Sequence, residues 1–268
     1  MEKLEECFKK RQKFYYKSNG VRILYGDSFE ELKKIKKESV DMIFADPPYF
    51  LSNGGISVSA GKQVSVNKGD WDKVSSLKEK HQFNRKWIRL CKRILKKDGT
   101  IWISGTMHNI YSVGMALEQE GYKIINNITW EKLNPPPNLA CRCFTHSTET
   151  IIWAKKDDKN SKHFFDYPLM KEINNGKQMK DVWRGSLTAK SEKFAGKHPT
   201  QKPEYLLERI LFASTKVDMI CLDPFCGSGT TGVIAKRLGR KFIGIDSSND
   251  YLNITIRRIE KEKDTVWK

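Results

Sequence analysis

Two short stretches carry residue types that can do chemistry. Asp46-Pro47-Pro48-Tyr49 ends an apolar run, Met42-Ile43-Phe44-Ala45. Prolines remove backbone donors and fix φ, so the run cannot continue as a sheet strand beyond Ala45. A carboxylate and an aromatic ring are thus carried on a stiff turn. Such a pair can orient a planar group that bears hydrogens, the carboxylate accepting and the ring stacking. The Pro47 carbonyl offers a second acceptor, and Pro48 adds rigidity that holds both in place. The other stretch is Asp223-Pro224-Phe225-Cys226-Gly227-Ser228-Gly229-Thr230-Thr231, which follows the apolar Met219-Ile220-Cys221-Leu222. Gly227 and Gly229 let a ligand approach the backbone. The helix expected after them presents free N–H groups.

The type of ligand is constrained by what surrounds the glycines. A phosphate loop of the G-x-x-x-x-G-K-[ST] form needs a lysine that is missing after Gly229. Gly-Ser-Gly-Thr-Thr-Gly, ending at Gly232, fits the bare dinucleotide pattern, and Asp246 closes the next strand where an acid binds ribose hydroxyls. S-adenosylmethionine uses the same acid. The motif belongs to the last strand–helix–strand–helix unit of the chain, so no second nucleotide-binding half follows it, which disfavours a dinucleotide.

These residues need a scaffold that brings strand ends together. Apolar strand patterns alternate with helical ones along the chain. Strands are expected at 21–26, around 40–46, at 99–105, 122–132 and 147–156, then at 219–225 and 241–246. Helices are expected at 28–37, 77–96, 108–121, 203–215, 228–239 and 249–263. Repeated β–α units predict an α/β fold with a doubly wound, mostly parallel sheet in a single domain of residues 1–268. Two segments interrupt the pattern. Residues 51–73 are rich in Gly and Ser and longer than a connection needs, which suggests a substrate loop. Residues 155–197 interleave lysines with Phe164, Phe165, Tyr167, Trp183 and Phe194 and read as an insertion. The charged first twenty residues suggest a surface helix.

Composition narrows the partner. The 268 residues hold 49 Lys and Arg against 32 Asp and Glu, a net charge of +17. An excess of this size favours a polyanion, most simply nucleic acid. The longest apolar runs are too short to span a bilayer, and the N-terminus lacks a signal-peptide core, which points to the cytoplasm and away from the membrane. Six cysteines without a C-x-x-C pair suggest reduced thiols rather than a metal site, and the five histidines form no metal set.

Taken together, the two motifs resemble those of the amino-methylating DNA methyltransferases. The Asp-Pro-Pro-Tyr motif precedes the Gly-rich one, which is the permuted order of the β-class. "GKHPTQKPEYLLERIL" (196–211), "GRKFIGID" and "LYGDSFEEL" are similar to that class's flanking motifs. "MIFADPPYFLSNGGIS", "KGDWDK", "NRKWIRL" and "HNIYSVGMALEQEG" are similar to a narrower group, the second adenine methyltransferases of DpnII-type restriction systems, which act on GATC. The resemblance covers about 21 to 260.

It implies the class I S-adenosylmethionine-dependent methyltransferase fold with an inserted DNA-recognition region, and direct methyl transfer to an exocyclic amine without a metal. Asp46, Pro47, Pro48 and Tyr49 would serve catalysis, with Tyr49 and Phe50 stacking on a flipped base. Asp27, Thr200, Lys202, Asp223, Phe225, Gly227, Ser228, Gly229, Thr230, Thr231 and Asp246 would hold S-adenosylmethionine. Asp27 would approach its adenine ring, and Thr200 and Lys202 its methionyl end. DNA would be met by Lys62, Lys68 and Trp71 on the loop and by Arg184, Asn174, Asn175 and Gln178 on the insertion. Cys226 sits at a variable position of its motif, and His198 would pack the cofactor region. The DNA could be duplex or single-stranded, the class commonly forms homodimers, and a cognate endonuclease is the expected functional partner. Cytosine-N4 enzymes share the chemistry but more often carry Ser at the position of Asp46. RNA or protein-glutamine methyltransferases prefer Asn there. A DNA-binding module with a vestigial cofactor fold would not need Asp46, Tyr49 and the Gly-rich turn together.

Overall fold

Nine strands share one sheet in the computed structural model, which describes residues 4–50, 56–59, 62–65, 76–157 and 159–262, those between 56 and 65 by backbone alone. In chain order the elements are β1 (Tyr16–Ser18), β2 (Val21–Tyr25), α1 (Ser28–Lys34), β3 (Val40–Ala45), β4 (Ile56–Ser59), β5 (Lys62–Ser65), α2 (Leu77–Ile94) and β6 (Leu95–Gly105). Then come α3 (Ile110–Gln119), β7 (Tyr122–Lys132), β8 (Thr148–Lys156), α4 (Tyr167–Ile173), β9 (Val182–Gly185) and α5 (Glu204–Ser214). The chain ends with β10 (Ile220–Asp223), α6 (Thr230–Arg237), β11 (Lys241–Asp246) and α7 (Asn249–Lys261). The sheet order is β1-β2-β11-β10-β3-β6-β8-β7-β9, and β4 and β5 form a separate antiparallel hairpin.

The strands β2, β11, β10, β3 and β6 run parallel, as the alternation of strand and helix predicts. Their apolar side chains divide between two layers because a strand points successive residues to opposite faces. In β3, Val40, Ile43 and Ala45 pack with Trp87, Ile88, Cys91 and Ile94 of α2. Met42 and Phe44 face the other way, toward Leu206, Leu207 and Ile210 of α5. Burial of each Val, Ile, Leu, Met or Phe among them stabilises the fold by about 1.5–3 kcal/mol. From β3 the sheet continues through β6 on one side and through β10, β11 and β2 on the other. The β3–β10 boundary is therefore a topological switch point, where parallel sheets open a crevice at the strands' carboxyl edge.

Three segments differ from the sequence expectation. The N-terminal twenty residues form a short 3-10 turn (Glu5–Cys7) and the edge strand β1 rather than a surface helix. Leu4, Cys7 and Phe8 are buried there, so spaced apolar residues outweigh the surrounding charge. Strand β6 starts at Leu95, directly after α2, and its register against β3 slips between Val40 and Met42. Within 155–197, α4 and β9 are regular, and β9 extends the main sheet beside β7. Trp183 of β9 is buried with Trp102 and Trp153, whose rings stack at 4.6 Å. The aromatics of this block are thus partly core. Among the described residues no helix is long and apolar enough to cross a membrane.

Candidate active site

Four acids mark the carboxyl ends of four neighbouring parallel strands. Asp27 follows β2, Asp246 ends β11, Asp223 ends β10 and Asp46 follows β3. They line one cavity of about 310 Å³, together with Ser28, Phe29, Pro47, Pro48, Tyr49, Phe83, Thr200, Lys202, Phe225, Gly227, Ser228, Thr230 and Thr231.

Three of these acids are held by nearby backbone. Asp27 caps α1, its Oδ1 accepting from the N–H groups of Phe29 (2.9 Å) and Glu30 (3.2 Å). Asp223 accepts from Phe225 N (3.0 Å) and the Thr231 hydroxyl (2.6 Å). Burial pushes its carboxyl up to about 7 against those two bonds. Asp246 accepts from Gly227 N (2.8 Å) through Oδ2 and from Ser248 N (2.9 Å) through Oδ1, and burial raises its pKa too. The Ser28 hydroxyl donates to the Pro224 carbonyl and ties the start of α1 to the Gly-rich turn.

The glycines have different roles. Gly227 lines the cavity at φ +49°, and a Cβ there would lie 2.9 Å from the His198 ring. Gly229 adopts φ +73° at the start of α6, and a Cβ would strike Thr255 of α7 at 2.5 Å. Gly229 is not among the cavity residues; its lack of a side chain permits close packing of the turn on α7. From α7, Arg258 donates to the Ser228 carbonyl (2.8 Å) and the Thr230 hydroxyl (2.9 Å) while pairing with Glu204 (2.9 Å). Phe29, Phe83 and Phe225 form an aromatic wall, Phe83 meeting Phe29 edge-on at 5.2 Å.

Asp46 is held differently. Its Oδ1 accepts from the Tyr49 hydroxyl (2.5 Å) and its Oδ2 from the Lys202 ammonium (2.7 Å). Lys202 also donates to the Tyr49 oxygen (2.7 Å). Glu149, near the start of β8, places Oε2 3.4 Å from both Lys202 Nζ and the Tyr49 hydroxyl. Its Oε1 pairs with Lys132, the last residue of β7, at 2.7 Å. Two largely buried carboxylates are thus matched by two ammonium groups. Burial raises the Asp46 carboxyl, with Lys202 opposing. At Glu149 burial also acts upward, but Lys202 and Lys132 win and hold it below the usual carboxylate range. Burial works against the Lys202 charge, yet Asp46 and Glu149 lift its pKa well above the ordinary lysine value.

The turn itself is braced from behind. Asn109 donates to the Pro48 carbonyl (3.1 Å), Asn84 donates to Asn109 Oδ1 (2.7 Å), and the Trp87 indole donates to Asn84 Oδ1 (3.2 Å). Phe50, which ends the turn, is buried at φ +57°, a backbone region that a bulky residue adopts only under constraint. Tyr49 is buried as well and lines the cavity.

The sequence-predicted residues divide into three groups. Those of the two motifs, with Asp27, Thr200, Lys202 and Asp246, converge on the cavity, apart from Gly229. Arg184 lies apart on β9, exposed and paired with Glu131 at 2.7 Å, while Asn174 donates to the Lys177 and Gln178 carbonyls and so closes a turn. Lys68 and Trp71 fall outside the described residues, and Lys62 opens β5, of which only the backbone is described. Sequence reasoning missed Glu149, Lys132, Asn84, Asn109, Phe83 and Arg258. The signal for Glu149 was an acid entering the otherwise apolar strand Ile151-Ile152-Trp153-Ala154.

S-adenosylmethionine suits this donor set. It offers a sulfonium and an ammonium, for which carboxylates are natural neighbours, and a ribose diol that donates to an acid. Gly227 leaves the space a side chain would fill, and the aromatic wall can face a purine.

Comparison with known proteins agrees with this geometry. Residues 40–257 match a family model described as DNA methylase. The chain is 69% identical over 251 residues to the type II methyltransferase M2.DpnII of Streptococcus pneumoniae, covering 94% of each. It is 70% identical over 247 residues to M2.LlaDCHI of Lactococcus lactis subsp. cremoris, covering 92% of each. The crystal structure of an M1.HpyAVI–SAM complex superimposes with a TM-score of 0.66 at 28% identity, over 89% of this chain and 98% of that one. The cytosine-N4-specific PvuII DNA methyltransferase shares the fold at a TM-score of 0.72 and 19% identity, over 94% of this chain and 89% of that one. An acid-lined crevice at the switch point, an Asp-Pro-Pro-Tyr turn facing a Gly-rich turn, and these likenesses identify the chain as a member of the DNA methylase family, with S-adenosylmethionine as its methyl donor.

Proposed function

We propose that this chain methylates the N6 amine of adenine, in GATC sequences of DNA, as part of a restriction-modification system. The observation that carries this reading is that Asp46 and the Gly-rich turn open into the same cavity, at adjacent strand ends. Two similar proteins bear the name type II methyltransferase, which supports the restriction context. An aspartate at position 46, where cytosine-N4 enzymes more often carry serine, supports adenine. GATC rests on the likeness to the DpnII-type second methyltransferases.

The bound cofactor supplies an electrophilic methyl group. The residues of the chain must make a weak nucleophile usable, because the amine lone pair is delocalised into the base. Asp46 accepts a hydrogen bond from the amine, which favours a more tetrahedral nitrogen and stabilises positive charge as it develops there. The Pro47 carbonyl is the second acceptor. Asn109 and the two prolines keep the turn from drifting, so little reorganisation is needed at the moment of reaction. Tyr49 lends its ring as one wall for a base that must leave the duplex stack. Asp246, Asp27, Asp223, Phe225, Gly227, Ser228, Thr230, Thr231 and Thr200 hold the cofactor. Segment 51–73 serves as a substrate loop, and 155–197 contributes to target recognition within a single domain. Lys62, Lys68, Trp71 and Arg184 contact DNA. The protein acts in the cytoplasm, as a homodimer, alongside a cognate endonuclease.

The test is to incubate the protein with S-adenosylmethionine and an unmethylated plasmid and to map modified bases at single-molecule resolution. N6-methyladenine confined to GATC is expected. Methylated cytosine would transfer the assignment to the N4 amine, and an unmodified plasmid would overturn the reading. Asp46→Ala should lose transfer and still bind S-adenosylmethionine.

A further inference from the structure

The arrangement around Asp46 poses a problem for the proposed reaction. Asp46 must accept from a neutral amine, yet an ammonium sits 2.7 Å from its Oδ2 and a phenol 2.5 Å from its Oδ1. A cation in contact draws electron density from the carboxylate and opposes the positive charge that develops on the amine nitrogen. Lys202 is 7% exposed and Asp46 14%, so water relieves the conflict only in part. Moving the lysine away without a replacement would strand a buried charge, which is costly.

Glu149 supplies that replacement. One of its oxygens is anchored by Lys132 at 2.7 Å. The other stands 3.4 Å from the same two donors that now occupy Asp46, the Lys202 ammonium and the Tyr49 hydroxyl. A displacement of roughly 0.6 Å would bring either donor to ordinary hydrogen-bond distance of Glu149. Anchoring through Lys132 keeps the acceptor at the start of β8 while the donors move. The two carboxylates and two ammonium groups stay matched in either arrangement.

We infer that Glu149 is a positioning residue that receives the Lys202 ammonium and the Tyr49 hydroxyl from Asp46 when the target amine enters. In the resting arrangement Lys202 and Tyr49 keep Asp46 satisfied. In the working arrangement they turn to Glu149 Oε2, and both Asp46 oxygens face the base. No bond is made or broken in this step. The inference rests on the reading of Asp46 as the amine acceptor.

Glu149→Gln tests it, because glutamine keeps the shape and removes the charge. The kcat for a GATC duplex is expected to fall about 10- to 100-fold, the range for one hydrogen bond to a charged group. Affinity for S-adenosylmethionine and the KM for DNA should change less than about twofold, since an interaction needed only on the way to the transition state was removed. Glu149→Asp should recover part of the lost kcat. The loss should also vanish in a Lys202→Met background, where there is no ammonium to receive.

The pH profile gives a reading that a merely structural role would not move. Asp46 faces Lys202, Tyr49, Glu149 on β8 and Asp223 on β10, with Lys132 of β7 behind Glu149. Removing the Glu149 charge takes away a neighbour that raises Asp46 and commits Lys202 to it, so the acidic limb of kcat should shift to lower pH. A folded Glu149→Gln enzyme with kcat within twofold of the parent would overturn the hand-off, as would additive losses with Lys202→Met. Retained activity in Asp46→Asn would instead sink the underlying assignment of Asp46, so the two failures are distinguishable.

Discussion

The two halves of the cavity are built on opposite principles. On the cofactor side, Asp27, Asp223 and Asp246 are satisfied largely by backbone close in sequence. Asp27 caps Phe29 and Glu30, Asp223 holds Phe225, and Asp246 holds Ser248. On the amine side, Asp46 relies on Lys202, 156 residues away, and that lysine on Glu149 of another strand. The first half is a set of local turns, each able to shape itself once its strand is in place. The second exists only after the sheet has assembled β3, β7, β8 and the segment before α5. Rigidity against the cofactor and adjustability against the base follow from that difference.

The comparison is broken most sharply by removing one acid from each half. Asp46→Ala should lower kcat by about a thousandfold, the upper range for deleting one transition-state contact, with cofactor binding retained. Asp246→Ala should do the reverse. It frees the N–H groups of Gly227 and Ser248, so the Kd for S-adenosylmethionine should rise about 10- to 100-fold, as for loss of hydrogen bonds to a charged group. At saturating cofactor its kcat should stay near the parent value. Calorimetric titration beside single-turnover kinetics checks both. If each variant lost binding and rate in equal measure, the two halves would be one cooperative unit.

A third prediction uses the buried acid that ends β10. The Asp223 carboxyl is raised from 3.8 to about 7 by burial. Between those values the folded state holds a proton that the unfolded state has released. Stability from this group is therefore fully present below pH 3.8 and lost as pH climbs through about 7. Asp223→Asn removes that dependence. The stability difference between parent and variant, measured by urea unfolding, should move in the variant's favour by about 2 kcal/mol from pH 5 to pH 7.5. An unchanged difference would mean that the carboxylate is better solvated than its burial implies.

The same contrast explains what could be read in advance. Parallel order, the two motif turns and the convergence of Asp46 with Gly227 follow from short apolar runs and their punctuation, which are local. Glu149 enters an otherwise apolar strand, β8, but nothing around it or around Lys132 of β7 announces that the two pair. They meet because Trp130 pairs with Glu149 across two antiparallel strands, a register that only the folded sheet determines. Asn84 and Asn109 were hidden the same way, on α2 and just before α3. Trp183 sits in a block of interleaved lysines and aromatics that reads as an insertion, but its ring packs into the core with Trp102 and Trp153. The N-terminal turn shows the converse. Its charge pattern suggested a free surface, and three buried side chains decided otherwise.

The asparagine brace gives a smaller test within the amine half. Asn109 is buried and links the Pro48 carbonyl to Asn84. Asn109→Ala leaves both partners without that bond, at a cost of about 1–3 kcal/mol in unfolding free energy. Because the turn remains stiffened by its prolines, kcat should fall by no more than about tenfold. A larger drop would show that the prolines alone do not hold Asp46 in position. No change in stability would show that another group had replaced the bond.

The smallest effect is expected farthest from the cavity, at Arg184. Its side chain is 71% exposed and bonded to Glu131 at 2.7 Å on the neighbouring strand. Exposed pairs of this kind contribute only about 0.2–1 kcal/mol, so Arg184→Ala should leave stability nearly unchanged. Its effect on DNA separates two roles. A phosphate contact would weaken binding on every sequence and reduce the salt slope by about one, whereas a base contact would relax selectivity. Glu131 already neutralises much of the charge, so the guanidinium reaches DNA only by sharing it. The expected result is a salt slope lowered by less than about one, with GATC selectivity intact. Relaxed selectivity in this variant would move target reading onto β9, at the edge of the sheet away from the cofactor. The amine half of the cavity would then extend, through β7, to the bases that flank the target.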